Sequence, residues 1–116
     1  MPEEKLYSLE NLVELTGGDA DLISEMIHMF LSHADAFVHD FEDAIAKRDL
    51  EMLKHKAHKF KTSANLFQIS ELVVQLKYIE PLKDFGNMPE LMLVSGKIRA
   101  LTLTAAAQIK KELDNY

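Results

Sequence analysis

Between residues 23 and 44 the apolar positions alternate in steps of four and three. Ile23, Ile27, Phe30, Ala34, Phe37, Phe41 and Ala44 keep that spacing, and Leu22, Met26 and Ile45 widen the stripe. At roughly 100° per residue such a run forms one face of a long helix, predicted over residues 20–47 with Asp19 or Asp21 as its cap. Upstream, Leu9, Leu12, Val13 and Leu15 give an apolar side to a short helix over residues 8–15. Ser8 is its expected N-cap, and Gly17-Gly18 can adopt the left-handed conformation that ends it. A third stripe, Leu53, Ala57, Phe60, Ala64 and Phe67, predicts one amphipathic helix over residues 53–69, led in by Asp49. Ser70 would cap the next helix, built on Leu72, Val73, Leu76 and Ile79, and Pro81 should end or kink it near residues 78–80. Gly86-Asn87 reads as a turn, and Pro89 suits the first turn of a last helix over residues 89–114. That helix presents Leu91, Val94, Ile98, Leu101 and Ala105; the strand-prone tetrads at Leu91 and Leu101 both fit its stripe. The expected fold is all-α, an antiparallel up-and-down four-helix bundle with a short additional N-terminal helix, in one domain over residues 1–116.

Composition narrows the function classes. The chain has 116 residues, 47% of them hydrophobic and 28% charged, as in an ordinary soluble domain. A formal charge of -6 disfavours nucleic acid, whose phosphates reward excess positive charge. With no cysteine, disulfide and thiolate chemistry are excluded. The first ten residues include acidic side chains and no apolar run, unlike a secretory signal. No segment is apolar over a membrane-spanning length, so a cytoplasmic domain is expected, free-standing or part of a larger protein.

The polar side of the third stripe carries the candidate chemistry. His58 lies about 140° from the centre of the apolar stripe and so faces water. His55 lies one turn before it, and Lys61 and Thr62 one turn after. Lys54 and Asn65 share that side, and Lys54, Lys56, Lys59 and Lys61 gather positive charge on an acidic chain. Imidazole is an effective nucleophile near neutral pH, and an ammonium can balance the charge of phosphoryl oxygens.

Residues 57–64, Ala-His-Lys-Phe-Lys-Thr-Ser-Ala, resemble the core motif of histidine-containing phosphotransfer (HPt) domains of multistep phosphorelays. His58 matches the phosphoacceptor, Phe60 the apolar position and Lys61 the lysine. Ser63 and Ala64 match the small pair, and Phe67 the later apolar position. Thr62 and Gln68 stand where the family usually has glycine. Leu72, Leu76 and Glu80 fit the helix that usually follows. The resemblance implies a carrier that accepts a phosphoryl group on His58, with Lys61 stabilising its charge; the lack of a Gly-rich loop to cradle a nucleotide predicts no kinase activity of its own. Its partners would be response-regulator receiver domains and hybrid sensor kinases, met through Lys54, His55, Thr62, Asn65 and Gln68. No cofactor is expected on this chain, since the magnesium would belong to the receiver. A monomer is expected, with no nucleic acid or membrane partner.

Other readings stay open beside this one. A solvated helix face accounts for a surface histidine among lysines, and Thr62 and Gln68 favour an interaction module that never carries phosphate. Glu25-x-x-His28 is half of a di-iron motif, which makes a metal-binding helical bundle the third reading, though no second copy follows and no metal-site residues are assigned. His33 and His39 have no companions at ligand spacing. His55 and His58 alone make a weak metal pair. Ser63, Thr102 and Thr104 lack a base, and most methionines read as core filler.

Overall fold

Two aspartates start the helices that carry most of the core. Asp19 Oδ1 accepts from the Leu22 amide at 3.1 Å and Asp49 Oδ1 from the Met52 amide at 3.0 Å, each satisfying an amide that has no partner inside its helix. The computed structural model describes residues 4–116, which form five α-helices and a closing 3-10 turn, with no strand among them. The helices are α1 (Glu10–Thr16), α2 (Ala20–Ala46), α3 (Leu50–Leu66), α4 (Ser70–Ile79) and α5 (Met88–Lys111), and the 3-10 turn is Glu112–Asn115. No described helix is long and apolar enough to cross a membrane.

Among the four longer helices, α2 packs on α3 and α5, and α4 packs on α3 and α5; α1 packs on α2. The α2 stripe from Ile23 to Ala44 is buried throughout, as are Leu53, Ala57, Phe60, Ala64 and Phe67. Four phenylalanines join α2 to the end of α3. Phe37 stacks on Phe60 at 4.2 Å between ring centres, and Phe30 lies 4.5 Å from Phe67.

Several boundaries depart from the sequence expectation. Helix α1 starts at Glu10 rather than residue 8, and the Ser8 hydroxyl accepts from the Glu10 amide at 3.2 Å without capping the helix. Of its apolar side only Leu12 is buried; Val13 and Leu15 face solvent, because a seven-residue helix presents little more than one residue per face to its neighbour. Leu22 is also exposed and does not widen the α2 stripe. Helix α3 ends at Leu66, three residues short of Ile69, because Gln68 takes a left-handed φ of 51°. Ser70 is the first residue of α4, after Ile69, and makes no side-chain cap. Proline at 81 does stop α4, at Ile79. Asn87 caps α5, which tightens into the 3-10 turn at Glu112, and Leu101 is only partly buried while Thr102 and Ile109 fill the core. None of the five described methionines is buried: Met26, Met52 and Met88 line the margin of the core, and Met29 and Met92 are exposed; Met1 lies outside the described residues.

The segment before α1 lies as a strap over the ends of α3 and α5. The Leu6 amide donates to Gln108 Oε1 at 2.9 Å, and Gln108 Nε2 donates back to the Glu4 carbonyl at 2.7 Å. The Ser8 amide donates to the Phe67 carbonyl at 3.0 Å. Tyr7 is buried beneath, its hydroxyl donating to Glu112 Oε1. Burial, then that carboxylate, pushes the Tyr7 hydroxyl above its ordinary titration range.

Candidate functional site

Midway along α3 the core stripe turns Ala57 and Phe60 inward and leaves His58 outside, its side chain 72% exposed. A helix held at both ends of such a stripe is a rigid mount for a reactive side chain. Beside it comes the end of α4. Ile79 is buried, Pro81 forbids another turn, and Glu80 between them is aimed at α3. Glu80 Oε1 lies 3.2 Å from His58 Nδ1 and also accepts from Lys61 Nζ. One carboxylate oxygen thus holds both residues that the sequence singles out. The Lys61 hydrogen bond, and then the His58 contact, keep the Glu80 carboxyl below its ordinary range against a smaller opposing effect of burial.

Ionised Glu80 can only accept, so the contact assigns the proton to Nδ1. Nε2 is then the ring nitrogen with a free lone pair, and His58 stands out toward solvent. The arrangement is a nucleophile, an oriented tautomer and an ammonium within one turn.

The lysine cluster divides once partners are counted. Lys61 is engaged by Glu80, Lys56 Nζ pairs with Asp40 Oδ2 of α2 at 3.3 Å, and Lys54 Nζ donates to the Leu82 carbonyl at 2.8 Å. Only Lys59 among them has no ion-pair or hydrogen-bond partner among the described residues. Lys54 therefore ties the segment after α4 to α3, two residues beyond Glu80. His55, Thr62 and Asn65 are exposed on α3. An open groove of about 390 Å³ between α2 and α3 runs beside Thr62, its walls including His33, Phe37, Lys59 and Ser63.

Gln68 is not brought together with the others. It lies in the turn after α3, about 15 Å along the chain axis from His58, and its Oε1 accepts from the Asn11 amide at 3.1 Å. Its left-handed backbone is a conformation that favours glycine whatever binds nearby.

Glu80 as a partner of His58, and the Leu82 carbonyl as a partner of Lys54, were not evident from spacing along α3. One signal was present: an acidic residue at a helix C-terminus opposes the helix dipole, so a side-chain partner is expected to hold it there. Glu25 and His28 are both exposed on α2, and among the described residues no three acidic or histidine side chains converge. No family model, curated protein or solved structure matches this chain.

Proposed function

We propose that this domain is a phosphorelay intermediate, exchanging a phosphoryl group between His58 and the aspartate of a receiver domain. The observation that carries the reading is the shared oxygen of Glu80, which accepts from His58 and Lys61 together. The Nε2 lone pair attacks the phosphorus of an aspartyl phosphate as the bond to the carboxylate oxygen breaks and that oxygen keeps the electron pair. The Nδ1 proton stays on the ring, and Glu80 balances the positive charge that the imidazole gains. Lys61 can turn toward the phosphoryl oxygens, where its charge is most useful as the group moves. The reverse sequence returns the group to a receiver. Magnesium in this reading belongs to the receiver, and hybrid sensor kinases supply the phosphate upstream.

An antiparallel up-and-down course of the four longer helices fits this reading, since it fixes α3 between α2 and α4 and brings the end of α4 back to the middle of α3. The groove beside Thr62 offers a receiver an apolar floor at Phe37 and a cation at Lys59. Lys54, fastened to Leu82, acts more through the position of Glu80 than by direct contact.

The test is incubation with phosphorylated receiver domains, followed by assay for acid-labile, alkali-stable label. The protein should acquire such label and His58→Gln should acquire none, while its unfolding free energy changes by less than about 0.5 kcal/mol, as for a surface residue. Label at full yield on His58→Gln, or transferred to His55, would sink the assignment.

A further inference from the structure

Helix α5 has a second apolar face that the fold does not use. Leu91, Val94, Ile98, Thr102, Ala105 and Ile109 point into the core. Opposite them, Leu93, Gly96, Ala100, Leu103 and Ala107 recur at steps of three and four, within about 60° of directly outward. Leu93 is 62% and Leu103 41% exposed, and the adjacent Met92 53%. Between Leu93 and Ala107 no charged residue falls within that arc; Lys97 and Arg99 flank it on either side. Isolated exposed leucines need no explanation, but a continuous heptad-spaced seam on a surface helix does.

Gly96 sharpens the point. Glycine is costly in a helix interior, and a Cβ built there meets no atom of the chain within 4 Å. Nothing inside this molecule requires a glycine at 96, whereas a backbone approaching from outside would. Ala100 follows one turn later, so the two small residues together form a shallow notch between Leu93 and Leu103.

We infer that this face pairs with the same face of a second copy, antiparallel, about a two-fold axis at Ala100. In that register Leu93 meets Ala107 of the other chain, and Leu103 meets its Lys97 stem and Gly96 notch, so large residues lie against small ones from end to end. Charge supports the same direction. Glu90 flanks one end of the seam and Lys111 the other, on the same side, so antiparallel pairing brings these opposite charges together and parallel pairing does not. The seam is a single helix face and falls below the roughly 800 Å² per partner of a standard interface. The dimer is therefore weak and concentration-dependent, in place of the monomer expected from the sequence. Helix α5 packs on α2 and α4, across from α3, so both copies keep His58 free.

The absence of cysteine makes the register testable by single substitutions. A disulfide needs Cα atoms within about 7 Å. Ala100→Cys should cross-link to a dimer under mild oxidation. Leu93→Cys should stay monomeric alone, because its copies lie about 21 Å apart, yet it should cross-link when mixed with Ala107→Cys. In sedimentation equilibrium from about 10 µM to 1 mM, the average mass of the unmodified chain should rise, and Gly96→Leu should weaken association at least tenfold with unchanged helical circular dichroism. A constant monomer mass up to 1 mM overturns the inference and leaves the face to some other partner. Leu93→Cys cross-linking to itself overturns the antiparallel register, and association unaltered by Gly96→Leu overturns the interface.

Discussion

A single carboxylate oxygen contacting both His58 Nδ1 and Lys61 Nζ makes Glu80 the residue through which the other two are coupled. Replacing it by glutamine keeps an oxygen for the Nδ1 proton but removes the charge that holds Lys61. Glu80→Gln should therefore preserve the ring tautomer, read from imidazole nitrogen chemical shifts, while slowing phosphoryl acceptance. Glu80→Ala should lose both. If the alanine variant keeps the tautomer and the rate, Glu80 is a surface ion-pair partner and nothing more. The same residue has a signature in stability. Its carboxyl titrates below the ordinary value of 4.5 when folded, so ionised Glu80 contributes stability that is fully present above pH 4.5 and is lost as pH falls through the lower folded value. Urea midpoints of the parent chain should drop more steeply than those of Glu80→Gln as pH is lowered through that window. Parallel curves would mean that solvent screens the carboxylate from its partners.

Among the elements, α2 and α5 were read from spacing almost to their ends, because a buried stripe, a capping aspartate or asparagine and a proline all act locally. The errors fall where a short polar side chain had two possible roles. Ser8 and Ser70 each look like a cap, yet the helices start at Glu10 and Ser70 with Leu9 and Ile69 in the cap positions, since packing of neighbouring apolar residues decides where each helix begins. His58 and Lys61 were legible because both lie on one helix face. Glu80 was not, because its place depends on how α4 packs on α3, a contact between residues 22 apart in sequence. The spacing overruns the end of α3 for a third reason: glutamine itself does not signal the φ of 51° that Gln68 adopts, although the resemblance puts a glycine at that position. A left-handed non-glycine residue costs about 1–2 kcal/mol, offset in part by its bond to the Asn11 amide. Gln68→Gly should raise stability by several tenths of a kcal/mol in thermal unfolding, since the exposed Asn11 amide can turn to water. A loss above about 1 kcal/mol would show that the side-chain bond outweighs the backbone strain.

At the scale of the whole molecule, α2 and α3 are joined by aromatic rings directly beneath the candidate site. Phe60, two residues after His58, is stacked on Phe37 and lies 5.9 Å from Phe30. Phe60→Ala should cost about 3–5 kcal/mol in denaturant unfolding, a large part of the total for a domain this size, and should abolish label uptake by loosening the mount of His58. Phe60→Leu, which keeps most of the volume, should cost less than half as much. The strap over the ends of α3 and α5 has a different consequence, one of time rather than of strength. Leu6 and Gln108 stand 102 residues apart, so their bonds close only after almost the whole chain has been ordered. They should be among the last to form and the first to open. In hydrogen–deuterium exchange the Leu6 and Ser8 amides should exchange through a local opening, far faster than the amides of Phe60 and Ala64. Gln108→Ala should quicken the first pair and leave the second unchanged; equal acceleration everywhere would make the strap part of one cooperative unit.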